Sequence, residues 1–490
     1  MARDEQIVES YDRMPYASTL QPQSHPANLA TLAFLRGIDT ASPARCRVLE
    51  LGCADGGNLL PIASELPDSS FLGIDLVPSQ IEAGLQRVKD AGLTNVELRA
   101  MSLMDADASL GTFDFIICHG VYSWVDAPVR EKILAICAEN LAPNGIAYIS
   151  YNTYPGWHSR QMVREMVQFH TRNVTDDAER VQQSVAFMRA LSETTGSSHA
   201  YGVYLKGARE QMEALTSASY FVHEYLEATN EPCYFHEFTA RAAEHGLQFV
   251  CEGDPDSGDA EHLPLAAFQN SIRDRIDAEQ YVDYAINRSF RRSLLTHASA
   301  SPRLDIERIR QLHIASSVKP MPQVDTFRND RGRTYTIPSG PMKSTLEALA
   351  AAWPRSLSFA ELEARVNASD LPRILDGLHA NGAVELSLTP HEVVRGVSER
   401  PTVSSFTRWE ARQGTSVTTL RHRVIGIQND DAARFLLPQL DGTRDHAELL
   451  RMLDEEIAAG RIEMPRRFAD ARALLMYELR QAADVALLIA

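Results

Sequence analysis

The chain has 490 residues, 44% apolar and 23% charged, with a formal net charge of −17, a length that suggests about three domains of roughly 150 residues each. The acidic balance argues against a non-specific grip on nucleic-acid phosphates, so no nucleic-acid partner is expected. No apolar run approaches the roughly 18 residues of a membrane span, and the polar start MARDEQIVESYDRMPY does not read as a signal peptide, so the expected location is cytoplasmic.

In chain order, a first helix is predicted from Ala27 to Gly37. Short apolar runs then alternate with helical patterns: strand 47–51, helix 58–65, strand 70–76, helix 78–91, strand 95–101, strand 113–119, helix 129–141 and strand 145–151. Such alternation argues for a parallel sheet covered on both faces, and the near-continuous apolar strands fit that burial. Residues 158–220 read as an inserted helical segment. Residues 239–254 read as helix, glycine stop and strand, a unit able to complete the first domain's sheet. A second helical stretch is predicted from Ile272 to His297, followed by a linker at 297–303. Beyond 304, a helix after Gly340-Pro341, another at 358–366 and helix, turn and strand over 371–388 suggest a winged-helix unit. Residues 436–453 begin a final helical part. The expected domains are therefore 1–157, a nucleotide-binding core; 158–300, a helical insert and middle region; 304–395, a winged-helix-like α+β unit; and 396–490, a C-terminal α+β module. The six cysteines form no C-x-x-C pair and no H-E-x-x-H occurs, so reduced buried thiols and no metal site are expected.

The chemistry is concentrated after the first strand, in Glu50-Leu51-Gly52-Cys53-Ala54-Asp55-Gly56. Small residues at Gly52, Ala54 and Gly56 let a ligand approach the backbone, and the helix that follows offers free N–H groups. A dinucleotide enzyme uses such groups for a pyrophosphate. A carboxylate at Glu50 would repel one, but suits a ligand bearing an ammonium group. Asp75 ends the second strand, 23 residues after Gly52, where an acid accepts ribose hydroxyls. FDFIIC (113–118) followed by ENLAPNGIAYIS (139–150) resembles class I methyltransferases, and with the loop and Asp75 it points to S-adenosylmethionine. Cys53, Asn58 and Leu76 flank these positions. That family often places an acid after strand 3, near the adenine amine. Here Ser102 holds the position, and Asp105, beyond Leu103 and Met104, is the nearest acid; it either reaches the adenine or only begins the next turn.

The fourth strand leads into His119-Gly120-Val121-Tyr122-Ser123-Trp124. Amino-methylating members of the class often carry D/N-P-P-Y there; His119 and Tyr122 match the spacing, but both prolines are missing. Tyr122 either meets a substrate amine or packs, with His119, against the cofactor. Tyr151, Tyr154 and Trp157, with Trp124, form either an aromatic pocket rim or ordinary core cover. His223 and His236, each followed by a glutamate, either accept a proton or are satisfied structural groups. Attack on an activated sulfonium needs position more than acid–base help, and no catalytic base is assigned.

ELGCADGGN, MSLMD, CHGVYSWV, NLAPNGIAYISYNTYPGW and SYDRMPY, with HEYLEATNEPCYFHEF and NRSFRRSLL, resemble bacterial methyltransferases with a methyltransferase regulatory domain. Rickettsial protein-lysine methyltransferases acting on an outer-membrane surface protein belong to that group. The resemblance implies a doubly wound, mainly parallel, seven-stranded class I sheet, S-adenosyl-L-methionine as cofactor, a middle regulatory region and a C-terminal winged-helix-like module. It also implies that Tyr11 and Tyr16 fold over the cofactor. The substrate is expected to be a protein lysine. A small amine-bearing molecule is the alternative, and a non-catalytic cofactor-binding regulator a third reading. A homodimer is left open.

Overall fold

The computed structural model describes residues 8–9, 12–15, 18–215, 217–254, 265–268, 270–391 and 393–489. Tyr11 and Tyr16 lie outside the described residues.

The RVLEL run forms strand β1 (Arg47–Leu51), buried at four successive positions, as a strand covered on both faces must be. Six more strands join it: β2 (Ser70–Asp75), β3 (Val96–Ala100), β4 (Phe113–Cys118), β5 (Leu141–Asn152), β6 (Leu247–Glu252) and β7 (Phe290–His297). Their order is β3-β2-β1-β4-β5-β7-β6. The first five run parallel, and β7 runs antiparallel to both β5 and β6. The order reverses between β1 and β4, so a crevice opens at the carboxyl ends of those two strands.

One face of the sheet is covered by helices α1 (Pro26–Leu35), α2 (Leu59–Glu65) and α3 (Pro78–Ala91), around Leu29, Val48, Ile62, Phe115 and Tyr148. α4 (Ala127–Asn140) covers the other. Three inserted helices, α5 (Gly156–His170), α6 (Asp177–Thr195) and α7 (Ala200–Glu213), close a small core of their own around Val163, Val167, Met188 and Leu205. The chain then returns through α8 (Phe235–Glu244), which packs beside α4, and α9 (Arg275–Ile286).

One expectation fails here. The helical pattern read from Ile272 to His297 holds only for α9; Asn287, at φ 53°, ends it, and Phe290–His297 is the strand β7. NRSFRRSLL carries three arginines, Arg288, Arg291 and Arg292, and charged side chains are ordinarily exposed. In fact Arg291 is wholly buried, because Glu252, Glu279 and Asp283 surround its guanidinium, and a paired charge can occupy a strand's core face. From α1 to β5 the expected boundaries agree within two residues, except that β5 begins at Leu141, four residues early.

Residues 304–395 hold two three-stranded sheets and helices about a core that includes Leu312, Ile314 and Ala315, with Leu346, Leu375 and Leu386. The last module has a separate core around Leu436, Leu449, Leu453 and Leu475. All six cysteines are buried and unpaired. No helix among the described residues is long and apolar enough to cross a membrane.

Candidate functional site

The loop after β1 is shaped by three left-handed residues, Gly52 (φ 73°), Ala54 (φ 49°) and Gly56 (φ 78°). At Gly52 a Cβ would stand 2.5 Å from Val121 Cγ2, and at Gly57 one would stand 2.1 Å from the carbonyl of Ser18. Two segments, the turn after β4 and the chain before α1, thus close directly on the loop. Asp75 stands at the end of β2 and organises it: Asp75 Oδ2 accepts the N–H of Ala54 at 2.8 Å, and Oδ1 that of Val77 at 2.9 Å. Burial raises the Asp75 carboxyl above its usual range. Each oxygen keeps a lone pair for a further donor.

Glu50 is almost wholly buried. Asn58 Nδ2 donates to Glu50 Oε1 at 2.7 Å and to Ser24 Oγ at 3.1 Å, while Asn58 Oδ1 accepts the backbone N–H of Gln21 at 2.7 Å. Glu50 Oε2 has no partner. Burial pushes this carboxyl up to about 8, against the pull of Asn58, with Asp75 and Asp55 adding to the rise. An orphaned carboxylate oxygen in a crevice costs free energy and fits a ligand that brings a cation.

Across the crevice, Gly120 donates its N–H to Ser150 Oγ at 2.8 Å. His119 Nδ1 lies 2.9 Å from the Tyr148 hydroxyl, and its ring meets the edge of Phe290 with centroids 6.0 Å apart. Burial, helped by Arg292, lowers His119 to about 3, so the ring is neutral. Arg292 in turn covers the Phe290 ring, 5.0 Å from its centroid, and lies 3.6 Å from Asp254.

Comparison with known proteins gives three family matches: a methyltransferase domain over residues 48–145, a predicted methyltransferase regulatory domain over 217–297 and a PKMT C-terminal winged helix domain over 399–487, the last of these on the final module. An uncharacterized protein of Rickettsia prowazekii, RP789, is 32% identical over 487 residues, covering 93% of this chain and 87% of that one. A second R. prowazekii protein, RP028, is 39% identical over 48% of this chain and 93% of its own length. The chain belongs to this family of S-adenosylmethionine-dependent methyltransferases. The structure of PKMT2 from Rickettsia typhi superposes with TM-score 0.85 at 27% identity, covering 97% of this chain and 100% of that one. Its complex with AdoHcy gives 0.84.

The methyltransferase brings only part of the sequence-predicted site together. Glu50, Gly52, Ala54, Gly56, Asn58, Asp75, His119 and Gly120 line the crevice as described, with Leu76 half-buried at the exit of β2. The Cys53 side chain turns inward against Gly73, so only its backbone faces the loop. Ser102 caps a short turn, accepting the N–H of Met104, with Leu103 half-buried and Met104 and Asp105 exposed. Tyr122 and Tyr151 are core residues: both rings pack on Phe238 of α8, and neither reaches solvent. Tyr122 therefore has no surface to offer a substrate amine. Trp124 and Trp157 meet edge to face, with Trp157 buried and Arg164 over Trp124. Tyr154 remains half-exposed beside His158 and Tyr234. His223 is held between Glu227 and the Met14 carbonyl, and exposed His236 contacts Gln280; both lie outside the His119 cluster.

Reading the sequence alone misses Gln21, Ser24, Tyr148, Ser150, Phe290 and Arg292. The S-H-P helix start at 24–26 is a usable signal for the first segment; Phe290 and Arg292 are hidden by the misread strand. Among the described residues, one group gathers three ligating atoms within 4.8 Å, from His25, Glu65 and His422. It does not aim lone pairs at a common point. The two imidazoles stack at 3.5 Å, 19° from parallel, whereas their lone pairs lie in the ring planes. His25 Nδ1 also accepts the N–H of Ala27 at 3.0 Å, which leaves the proton of the neutral ring on Nε2.

Proposed function

We propose that this methyltransferase modifies lysine side chains of a protein, with the cofactor held by Glu50, Asn58 and Asp75 in the crevice at the ends of β1, β2 and β4. The observation that carries the substrate class is the likeness to a PKMT, a protein-lysine methyltransferase, along 97% of the chain, C-terminal module included. In this reading Glu50 Oε2 takes the ammonium of the methionine end, and Asp75 the ribose hydroxyls. Leu76 and Ser102 to Asp105 border the adenine, with Gly120 and His119 toward the sulfur.

S-adenosylmethionine supplies a methyl group already activated on a sulfonium, so the chain has only to present a neutral amine in line at about 3–3.5 Å and keep water out. His119 and Phe290 form the candidate wall for that amine, with the buried Tyr148 bracing His119 from behind. An uncharged His119 adds no competing cation, and partly apolar surroundings lower a lysine's pKa toward the neutral nucleophile. The test is incubation with methyl-labelled cofactor and a lysate of the chain's own host, followed by acid hydrolysis of the protein fraction. Label is expected in methyl-lysine; label confined to small molecules sinks the reading in favour of a small-amine substrate.

Glu50 gives a pH signature. The anionic carboxylate pairs with the ammonium, but the free chain holds Glu50 at about 8. Cofactor affinity is therefore expected to rise about tenfold per pH unit from about 6 toward about 7.5. It levels above about 8, where Glu50 is already ionised in the free chain. Calorimetric titration with S-adenosylhomocysteine measures this. Glu50→Gln should flatten the acidic limb, and affinity constant from about pH 6 to 8 in the unaltered chain refutes the pairing.

A further inference from the structure

The last module reaches the cofactor loop by three separate contacts. The first is a relay of side chains. Asp55 of the loop accepts from Arg87 Nη1 of α3 at 2.5 Å, while its other oxygen takes the N–H of Gly57 at 3.2 Å. The same guanidinium stands over the ring of Trp409, 5.7 Å from its centroid, and Trp409 belongs to the helix Ser405–Gln413 of the last module. The second contact is apolar. Leu60, wholly buried, packs with Phe406 and Trp409, and its Cδ1 occupies the place that a Cβ on Gly56 would need, 2.0 Å away. The third contact enters from the other side. His422 stacks on His25 and lies 2.6 Å from Glu65 at the end of α2. His25 follows Ser24, which shares Asn58 with Glu50.

These contacts grip both ends of α2, the helix that the loop opens, and fix the loop's own acid between them. Gly52 and Gly56 take their left-handed torsions freely, but Ala54 at φ 49° is strained on its own, so outside contacts must help to hold the loop. Arg87 ties together two roles, neutralising Asp55 and covering Trp409. A module seated differently removes the ring contact directly and leaves Arg87, no longer covered by Trp409, freer to swing away from Asp55.

We propose that the C-terminal module is a positioning element for the cofactor: Trp409, acting through Arg87 and Asp55, and Phe406, acting through Leu60, hold the loop from Glu50 to Asn58 in its binding shape. Cofactor affinity then depends on how the module is seated. The inference rests on the cofactor site proposed above. A chain that binds no S-adenosylhomocysteine defeats that site, whereas tight binding indifferent to Trp409 defeats this inference alone.

The test uses the full chain and calorimetric titration with S-adenosylhomocysteine, well below each variant's melting temperature. Trp409→Ala is expected to weaken binding about tenfold, the effect of about 1.4 kcal/mol, and Trp409→Phe, which keeps a ring under Arg87, to recover most of it. Arg87→Met changes no residue of the module and should weaken binding to the same extent; if Trp409→Ala does not fold, Trp409→Leu, which keeps apolar bulk beside Leu60 but removes the ring under Arg87, carries the test. Leu453→Ala, in the module's own core and away from the contact, is the control for general loosening and should bind as the unaltered chain does. Unchanged affinity in both Trp409→Ala and Arg87→Met overturns the proposal, as does equal weakening in folded Leu453→Ala.

Discussion

Asp75→Ala is expected to weaken S-adenosylhomocysteine binding by at least about a hundredfold, a loss of roughly 3–5 kcal/mol. Two terms add. The ribose hydroxyls lose charge-assisted hydrogen bonds worth about 1.5–3 kcal/mol each. The N–H groups of Ala54 and Val77 also lose the carboxylate that orients them, which frees the left-handed turn at Ala54. Asp75→Asn separates the terms: it keeps one acceptor oxygen without the charge and should fall between the two. Calorimetry measures all three chains. Binding of Asp75→Ala within about tenfold of the unaltered chain rejects the ribose assignment.

The sequence reveals the parts of this site that local chemistry determines. The loop can be read because only small residues tolerate its torsions, and Asp75 because a strand end followed by a helix that Pro78 opens fixes its place. Tyr122 shows the limit of spacing. His119 and Tyr122 sit three apart as in a substrate loop, but without prolines the chain makes a tight turn that drops Tyr122 into the core against Phe238. What faces His119 instead is Phe290, far away in sequence, brought there by pairing of Asn152 with Phe290 in the β5–β7 ladder. Contacts of that range leave no local signature. The same holds for the C-terminal grip on the loop, since neither Arg87 nor Trp409 belongs to any motif.

Arg291 is the residue on which that β7 placement turns, and Arg291→Met is expected to be the most destabilising single change. The guanidinium is wholly buried and pairs with Glu252 at 2.7 Å, Asp283 at 2.8 Å and Glu279 at 3.1 Å, beneath the ring of Phe235. Methionine fills much of the space but leaves three buried acids with Arg288 as the adjacent cation. Breaking such a cluster costs about 3–5 kcal/mol, or about 10 °C in the melting of the methyltransferase domain. The pH dependence carries the sign. In the unaltered chain, burial would raise Glu252, but Arg291 and Arg288 outweigh it and hold the carboxyl below its usual range. A depressed acid stabilises above its unfolded value, near about 4.3, and that stabilisation is lost as pH falls through the lower folded value. Asp283 pulls the other way, since burial there outweighs the same arginines and raises it. Without Arg291, burial dominates at Glu252 too, both acids are raised, and stability then falls as pH rises from about 5 to about 8. Denaturant unfolding at those two pH values should therefore show the variant more stable at the acidic one. A melting loss under about 2 °C, or a variant more stable at the alkaline pH, would mean that the arginine is not what makes β7 tolerable in the core. Phe290 and Arg292 flank Arg291 on the opposite face, so the strand that this buried cation stabilises is also the one that delivers the wall opposite His119.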